Sequence, residues 1–561
     1  MKKRVQPFLL ACMGVLAASN CKSRTTSTIQ SKSSRVEPES TTQKDPLPTP
    51  KVVVLAGGGR EGDVGDVTSW SYESFKPIIE NGDVNQDGLI RVAVLTTEPL
   101  VPKEVAPTED FFESYFPWIA STLPGKPKCE AKTLRFVSKE STNDTKMLDF
   151  LSSSDAVFFK GGDQGEYYDL WNNTSVEQAL RTAITKGAAV SGTSAGSMSQ
   201  AGFAFAGGKD LISEDVMVDS MSPNLDDASE GEGVTSIKTD FLSTVPNTVV
   251  DTHFTERGRL GRLLGIMAKV VDENKKPDVL AIGIDRATAV VIQNGIGTIQ
   301  GKGAVWFLKT TKDTKWKREK QRPLLFTNID AHRLTKGWKF DLKQGVVVTE
   351  EIPSGGHSYN NSPKRNSQNV KISGPSSIRG DTKHDDLISR GHPEAESPVP
   401  LAENVKIAPE KYGFKSSPKS GGIPQVLAIT NTGGNEDVDA AGTTLSLRSN
   451  KDESLFQGLS ERPGHWGFLL FGKSDLWFER ERGTDKLVFG VFGNSASIAV
   501  DTSGAQFTSS AGRPSTYGIP GDVLEAKSIT HLKLHVLSNP KGGNLGVEYD
   551  TGLVREYARE K

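Results

Sequence analysis

The sequence predicts an α/β fold, a parallel sheet flanked by helices, followed by a mostly-β C-terminal region. Three observations carry that prediction. Short, mostly apolar runs at 52–56, 91–97, 155–160 and 187–192 recur along the first half, with a helical stretch at 175–185 before the last. Apolar runs of strand length that alternate with helical segments fit a sheet covered on both faces. Two of the runs pass directly into glycine, at Gly57-Gly58-Gly59 and Gly161-Gly162, which marks tight loops. Beyond residue 425, short apolar stretches at 426–430, 467–471, 486–492, 497–501, 531–536 and 545–549 lie between Gly, Asn and Ser turns, an all-β pattern that suits a small sandwich.

Taken in order, residues 1–20 read as a secretory signal. Lys2, Lys3 and Arg4 precede a short apolar run at 8–18 that is too short for a membrane span. Ala18-Ser19-Asn20 leads into Cys21, whose position suits lipoprotein processing, with the acylated thiol as the new N-terminus. Plain secretion is the other reading of the same segment. Residues 21–50 are rich in Ser, Thr, Pro and Lys without periodicity, as a disordered tether would be. The α/β domain spans 51–350, and the runs 248–252, 279–284 and 289–292 are expected to extend its parallel sheet. Residues 351–424 read as a flexible insertion or linker, and 425–561 as a β-rich module.

Composition narrows the function classes. The chain has 561 residues, with 67 Lys+Arg against 69 Asp+Glu, a formal charge of −2. That balance argues against a nucleic-acid binder, which would show a basic domain or stripe. Apolar residues make up 35%, which leaves part of the chain outside any packed core. Three cysteines do not make a disulfide scaffold. No Cys/His cluster has metal-ligand spacing. The segment 83–88, Asp-Val-Asn-Gln-Asp-Gly, copies the first half of a calcium loop, but Val94 stands where a bidentate Glu is needed, so it reads as a turn. Gly57-Gly58-Gly59 lacks the Gly-Lys-Ser/Thr of a phosphate loop. Neither a metal nor any other cofactor is implied.

The chemistry centres on Gly192-Thr193-Ser194-Ala195-Gly196, which lies between an apolar strand and a helical stretch. This is the nucleophile-elbow pattern in its structural context. A serine on a sharp strand-to-helix turn holds a strained backbone, and flanking glycines remove side chains that would clash. The turn presents the hydroxyl at the carboxyl edge of the sheet, where open α/β folds bind ligands. The Ala195 amide at the helix start suits an oxyanion. The loop at 161–164, Gly-Gly-Asp-Gln, follows another strand and belongs on the same edge, with Gly162 as the second oxyanion donor and Gln164 as a substrate contact. A serine hydroxyl needs a base. Of eight histidines, only His253 sits at a strand end in this domain. Arg257, Arg259 and Arg262 follow it closely and suit bidentate carboxylate binding. Residues 209–232 hold eight acidic side chains and one lysine, an exposed acidic loop or a lid that attracts a basic polymer.

Together GGDQ (161–164), GTSAG (192–196), DTHFTERGRLGRLL (251–264) and AIGIDRATAVVI (281–292) resemble the cyanophycinase and peptidase E family of serine peptidases. The resemblance covers about 51–349. It implies a class I glutamine-amidotransferase-like, flavodoxin-type fold. It also implies hydrolysis of β-linked Asp-Arg polymer or other aspartyl peptides through an acyl-enzyme, and it leaves a homodimer open. It places the nucleophile at Ser194 and the base at His253, with Gln164, Asp251, Arg257, Arg259 and Arg262 around the substrate.

Two positions depart from the family pattern. Thr252 stands where the family has Gln, and Arg286 stands where it has the Glu of the triad. Loss of that carboxylate costs on the order of 10⁴-fold in classical serine proteases, and an arginine repels the charge that forms on the base. Asp285 is the neighbouring carboxylate and is taken as its substitute, with a bulged backbone required to aim it. Glu256 and Asp251 are other orienters. Arg286 also supports the alternative of an inactive relative, a surface lipoprotein that binds peptides or acts as a scaffold.

Overall fold

The computed structural model describes residues 47–99, 110–207, 211–226, 236–275 and 278–349, then strands and short stretches as far as 550. The segment expected to be a signal (1–20), Cys21 and nearly all of the expected tether lie outside the described residues, as does most of 351–424.

The first five strands are β1 (Val52–Ala56), β2 (Ile90–Thr96), β3 (Cys129–Arg135), β4 (Ala156–Phe159) and β5 (Ala189–Thr193). They pair in parallel in the spatial order β1-β5-β4-β2-β3. Side chains alternate across each strand, so each apolar run supplies two buried faces. Val52, Val54, Val92, Val94 and Phe158 face α1 (Trp70–Glu80) and α2 (Phe111–Thr122), where they meet Phe75, Ile78, Phe112 and Phe116. Leu95, Val157, Phe159 and Val190 face the other way, onto α4 (Gln164–Trp171) and α5 (Ser175–Lys186). A short α3 (Thr145–Ser152) precedes β4. Asp110, Asp144, Asp163 and Thr174 each cap the helix that follows with a side-chain oxygen.

After β5 the chain departs from the expected single sheet. It runs through α6 (Ala195–Met198) and a two-stranded ribbon of β6 (Ala204–Phe205) and β7 (Ile237–Lys238), with α7 (Ser213–Val218) and α8 (Pro223–Asp226) between them. It then enters a second sheet with β8 (Thr248–Thr252), crosses α9 (Leu260–Asn274) and returns beside it as β9 (Leu280–Ile284), parallel to β8. The runs 248–252 and 279–284 therefore build a different sheet from β1. Only the run at 289–292 rejoins the first sheet, as β10 (Thr288–Gln293), antiparallel to β1. The physical reason lies on β1. No helix covers its Val53 and Leu55 face; Val250, Ile282, Ile284, Val305 and Phe307 of the second sheet do. A strand buried on both faces reads the same in either sheet.

The first sheet ends with β11 (Ile296–Gly301), and the second continues with β12 (Ala304–Lys309), β13 (Lys315–Lys317) and the long β14 (Leu325–Thr335). Strands β15 (Lys339–Asp341) and β16 (Val346–Val347) close the edge of the first sheet, which totals nine strands. Some of the described C-terminal strands extend the second sheet, while Ser474–Arg480, Leu487–Gly493 and Val547–Asp550 belong to a separate five-stranded sheet. The strand Ile529–Leu537 pairs antiparallel with β14, and Ser497–Asp501 pairs with it in turn. Two imidazoles sit along this seam: Asn328 N–H donates to His535 Nδ1 (3.1 Å) and His531 N–H to His332 Nδ1 (3.2 Å). Burial lowers both His332 and His535 to about 3, so both stay neutral acceptors. Among the described residues no helix is long and apolar enough to cross a membrane.

The seam makes Leu534 part of the same core as α9. Leu534→Ala should cost about 2–5 kcal/mol, read as a lower melting temperature of the whole α/β body in one cooperative transition. A separate low-temperature transition confined to the C-terminal region would contradict it.

Candidate active site

The site is assembled on the carboxyl end of β1. Ser194 N–H donates to the carbonyl of Ala56 (3.0 Å), and His253 N–H donates to the next carbonyl, Gly57 (2.9 Å). The nucleophile comes from the first sheet and the base from the second, so the edge shared by both is the end of β1. Ser194 holds φ +52° and ψ −122°, a left-handed strain that the sharp turn imposes. The flanking glycines make that turn possible. A Cβ on Gly192 would fall 2.4 Å from the Gly196 carbonyl oxygen, and one on Gly196 would fall 2.3 Å from that of Phe159. Ser197 braces the turn by accepting from Ala56 N–H (2.8 Å).

His253 Nε2 lies 3.0 Å from Ser194 Oγ. Its Nδ1 lies 3.1 Å from Glu256 Oε1, and Glu256 Oε2 accepts from the Arg286 backbone N–H (3.2 Å). Asp285, expected as the carboxylate beside the base, does not reach it. Its Oδ1 accepts from Thr255 N–H (3.0 Å) and its Oδ2 from Ala304 N–H (2.8 Å). The backbone crosses from one sheet to the other at 285–287, and that crossing turns Asp285 inward. Burial raises the Asp285 carboxyl to about 7, against the pull of Arg333. Burial also lowers His253, with Glu256 acting against it and Arg257 and Arg259 adding to it. For Glu256 burial opposes ionisation, but the bond and charge of His253 outweigh it and hold the carboxyl below its ordinary range. A neutral imidazole whose Nδ1–H donates to Glu256 has its Nε2 lone pair free for the serine proton.

Gly161 places the second loop against the first: a Cβ there would lie 3.4 Å from Ser194 Cβ. The Tyr167 hydroxyl holds that loop at the carbonyls of Lys160 and Gly161 (2.8 Å each). Gly162, Gln164 and Ala195 line one cleft with Ser194, about 680 Å³ in volume. Arg257, Arg259 and Arg262 line it on one side, and Glu98, Asp163, Glu166 and Asp169 also border it. Asp251, expected at the substrate, is fully buried behind the arginines instead. It pairs with Arg259 (3.3 Å) and Arg262 (3.1 Å), while Thr252, the next residue, faces the cleft. Strand alternation sends the two side chains opposite ways. The described part of the acidic stretch is largely absorbed in structure: Asp215 accepts from Ile212 N–H, and Asp226 pairs with Lys269 and Arg318. The 83–88 segment is a turn in which Asp83 accepts from the backbone of Asp87 and Gly88. Among the described residues no group of His, Cys, Asp or Glu could hold a metal ion.

Sequence reading missed the role of Gly58. It has φ +91°, and a Cβ on it would fall 2.4 Å from His253 Nε2. The glycine triplet was the available signal, since three such residues at a strand end invite a close approach.

Residues 114–215 match the model of Peptidase family S51. The cyanophycinases of Trichormus variabilis and Nostoc are each 29% identical over 231 residues, 40% of this chain and 68% of theirs. That of Geminocystis herdmanii is 27% identical over 221 residues, covering 38% and 72%. Among solved structures, a peptidase from an acI-B1 Actinobacterium is 16% identical with a TM-score of 0.30, covering 52% of this chain and 97% of that one. A putative peptidase E from Listeria monocytogenes is 14% identical with a TM-score of 0.25, covering 45% and 98%. The family match and these relatives support a peptidase. Within that class, the chain is similar to the cyanophycinases.

Gly58→Ala puts a methyl where the imidazole stands. Peptidase activity is expected to fall at least about 100-fold, as misplacing a reacting group does, with the far-UV circular dichroism spectrum retained. Full activity in that variant would show that His253 does not work from this position.

Proposed function

We propose that this protein is a serine-type peptidase that hydrolyses aspartyl peptides of the β-Asp-Arg type, including cyanophycin-like polymer, through an acyl-enzyme. One observation carries the reading: Ser194 Oγ and His253 Nε2 stand 3.0 Å apart at the mouth of a charged cleft. In this mechanism His253 takes the proton of Ser194 as Oγ bonds to the scissile carbonyl carbon. The tetrahedral oxyanion is held by the backbone amides of Gly162 and Ala195. The leaving amine then takes the proton from His253, and water enters by the reverse sequence to free the acid. Arg257, Arg259 and Arg262 suit the carboxylates of such a substrate, and Gln164 its amide. The acidic residues bordering the cleft suit its guanidinium groups. Purified protein incubated with cyanophycin and with β-Asp-Arg substrates should release cleavage products, and Ser194→Ala should lower that release on the order of 10⁴-fold or more. Release that persists in the variant would remove the mechanism.

We also propose that the chain is exported and anchored through acylated Cys21, on the strength of the signal-like segment before it. Bacteria expressing the full chain and fed an alkynyl fatty acid should label it, and Cys21→Ala should abolish the label. A wild-type chain that takes up no label would leave secretion as the reading.

A further inference from the structure

We propose that Glu256 is the carboxylate that orients His253 and balances its charge, and that neither Asp285 nor a side chain at position 286 is needed for that task. The inference rests on the Ser194–His253 reading and deepens it. Glu256 lies three residues past the base, in a turn that folds back on the ring. His253 itself has φ +47°, Phe254 N–H is tied to the Ile284 carbonyl (3.2 Å), and Arg259 N–H to that of Phe254 (3.0 Å). These bonds close the turn, so a carboxylate at 256 meets the imidazole of its own segment.

Both oxygens of that carboxylate are used. Oε1 faces His253 Nδ1 and Oε2 is held by the Arg286 N–H, so the group has one orientation. Position 286 thus contributes its backbone, while its side-chain stem lies against Gly59, where a Cβ would fall 2.8 Å from Arg286 Cγ. Asp285 is committed to two backbone donors. The groups that bear on His253 are Glu256, Arg257 and Arg259 from its own segment and Ser194 from the elbow; Asp285 lies behind Thr255. Glu256 carries the only negative charge among them that touches the ring. When Ser194 gives its proton to Nε2, the imidazolium keeps its Nδ1 proton, and the positive charge is matched by Glu256 without a second proton moving. Glu256 is in this sense a positioning residue that acts through His253.

The test uses the full chain and a fluorophosphonate, which modifies an activated serine whatever the peptide substrate. Wild type should be labelled at Ser194, and Ser194→Ala should not be. Glu256→Gln should slow labelling on the order of 10² to 10⁴-fold, and Glu256→Asp should recover part of that loss. The His253 imidazole, followed by nuclear magnetic resonance titration, should show a lower pKa in Glu256→Gln, because the charge that raises it is gone. A structural role alone would leave that titration in place. Arg286→Glu should bring no gain in labelling. The proposal is overturned if Glu256→Gln labels within about threefold of wild type with an unmoved His253 titration, or if Arg286→Glu accelerates labelling tenfold or more. If wild type takes no label, the hydrolase reading fails, and the titration still decides whether Glu256 governs the imidazole.

Discussion

Three consecutive residues at the end of β1 hold the site together. The Ala56 carbonyl receives Ser194 N–H, the Gly57 carbonyl receives His253 N–H, and the Gly58 carbonyl receives Ala287 N–H (2.7 Å). Three segments distant in sequence, one from each sheet and one from the crossing between them, are thereby indexed to one short stretch of backbone. Backbone bonds of this kind fix positions to within fractions of an ångström, which is the tolerance proton transfer demands. They also explain the glycines. A Cβ on Gly57 would fall 2.0 Å from the Asp285 carbonyl oxygen, so the two sheets meet here without room for a side chain.

The same logic governs charge. Arg259 and Arg262 are nearly fully buried, and a buried guanidinium without a partner is costly. Asp251 answers both, and the Thr252 carbonyl takes a further bond from Arg259 (2.8 Å). Arg262 also lies over the Phe205 ring and donates to the Leu211 carbonyl (3.1 Å). The basic side of the cleft is therefore set before substrate arrives, so little ordering entropy is lost on binding.

Much of this was legible in the sequence, for definite reasons. The runs 52–56 and 155–160 read as strands because β-branched and aromatic residues fill them, and 187–192 because glycines bound a short, mostly apolar stretch after a helix. The strand-to-helix turn at 192–196 was legible because glycine on both sides of a serine is a local steric requirement. What failed was non-local. Nothing in the run 248–252 tells which sheet it joins, since the deciding contact is the Val53 and Leu55 face of β1, nearly two hundred residues earlier, which no helix covers and the second sheet packs against. The choice between Asp285 and Glu256 turned on a positive φ at His253 and on the chain crossing at 285–287, both set by the packing of the two sheets. Asp251 misled for a simpler reason. Adjacent residues on a strand face opposite ways, and the start of that alternation is a tertiary fact.

The β-rich C-terminal region bears on the cleft through a chain of contacts. The Ala496 N–H donates to the Met217 carbonyl at the end of α7 (2.7 Å). At the start of α7, the Ser213 hydroxyl donates to the Gly258 carbonyl and accepts from Arg262 N–H (3.0 Å). Between these ends, Val216 fills the space over Gly265, where a Cβ would fall 2.3 Å from one of its methyl groups. A single short helix thus touches the C-terminal strands on one side and the backbone of the arginine segment on the other. The strands that extend the second sheet also bury Leu532, Leu534 and Val536 in the cluster that holds Leu263, Leu264 and Met267 of α9. Because α9 carries Arg262 in its first turn, the register of that arginine against Asp251 depends on a core that the last third of the chain completes.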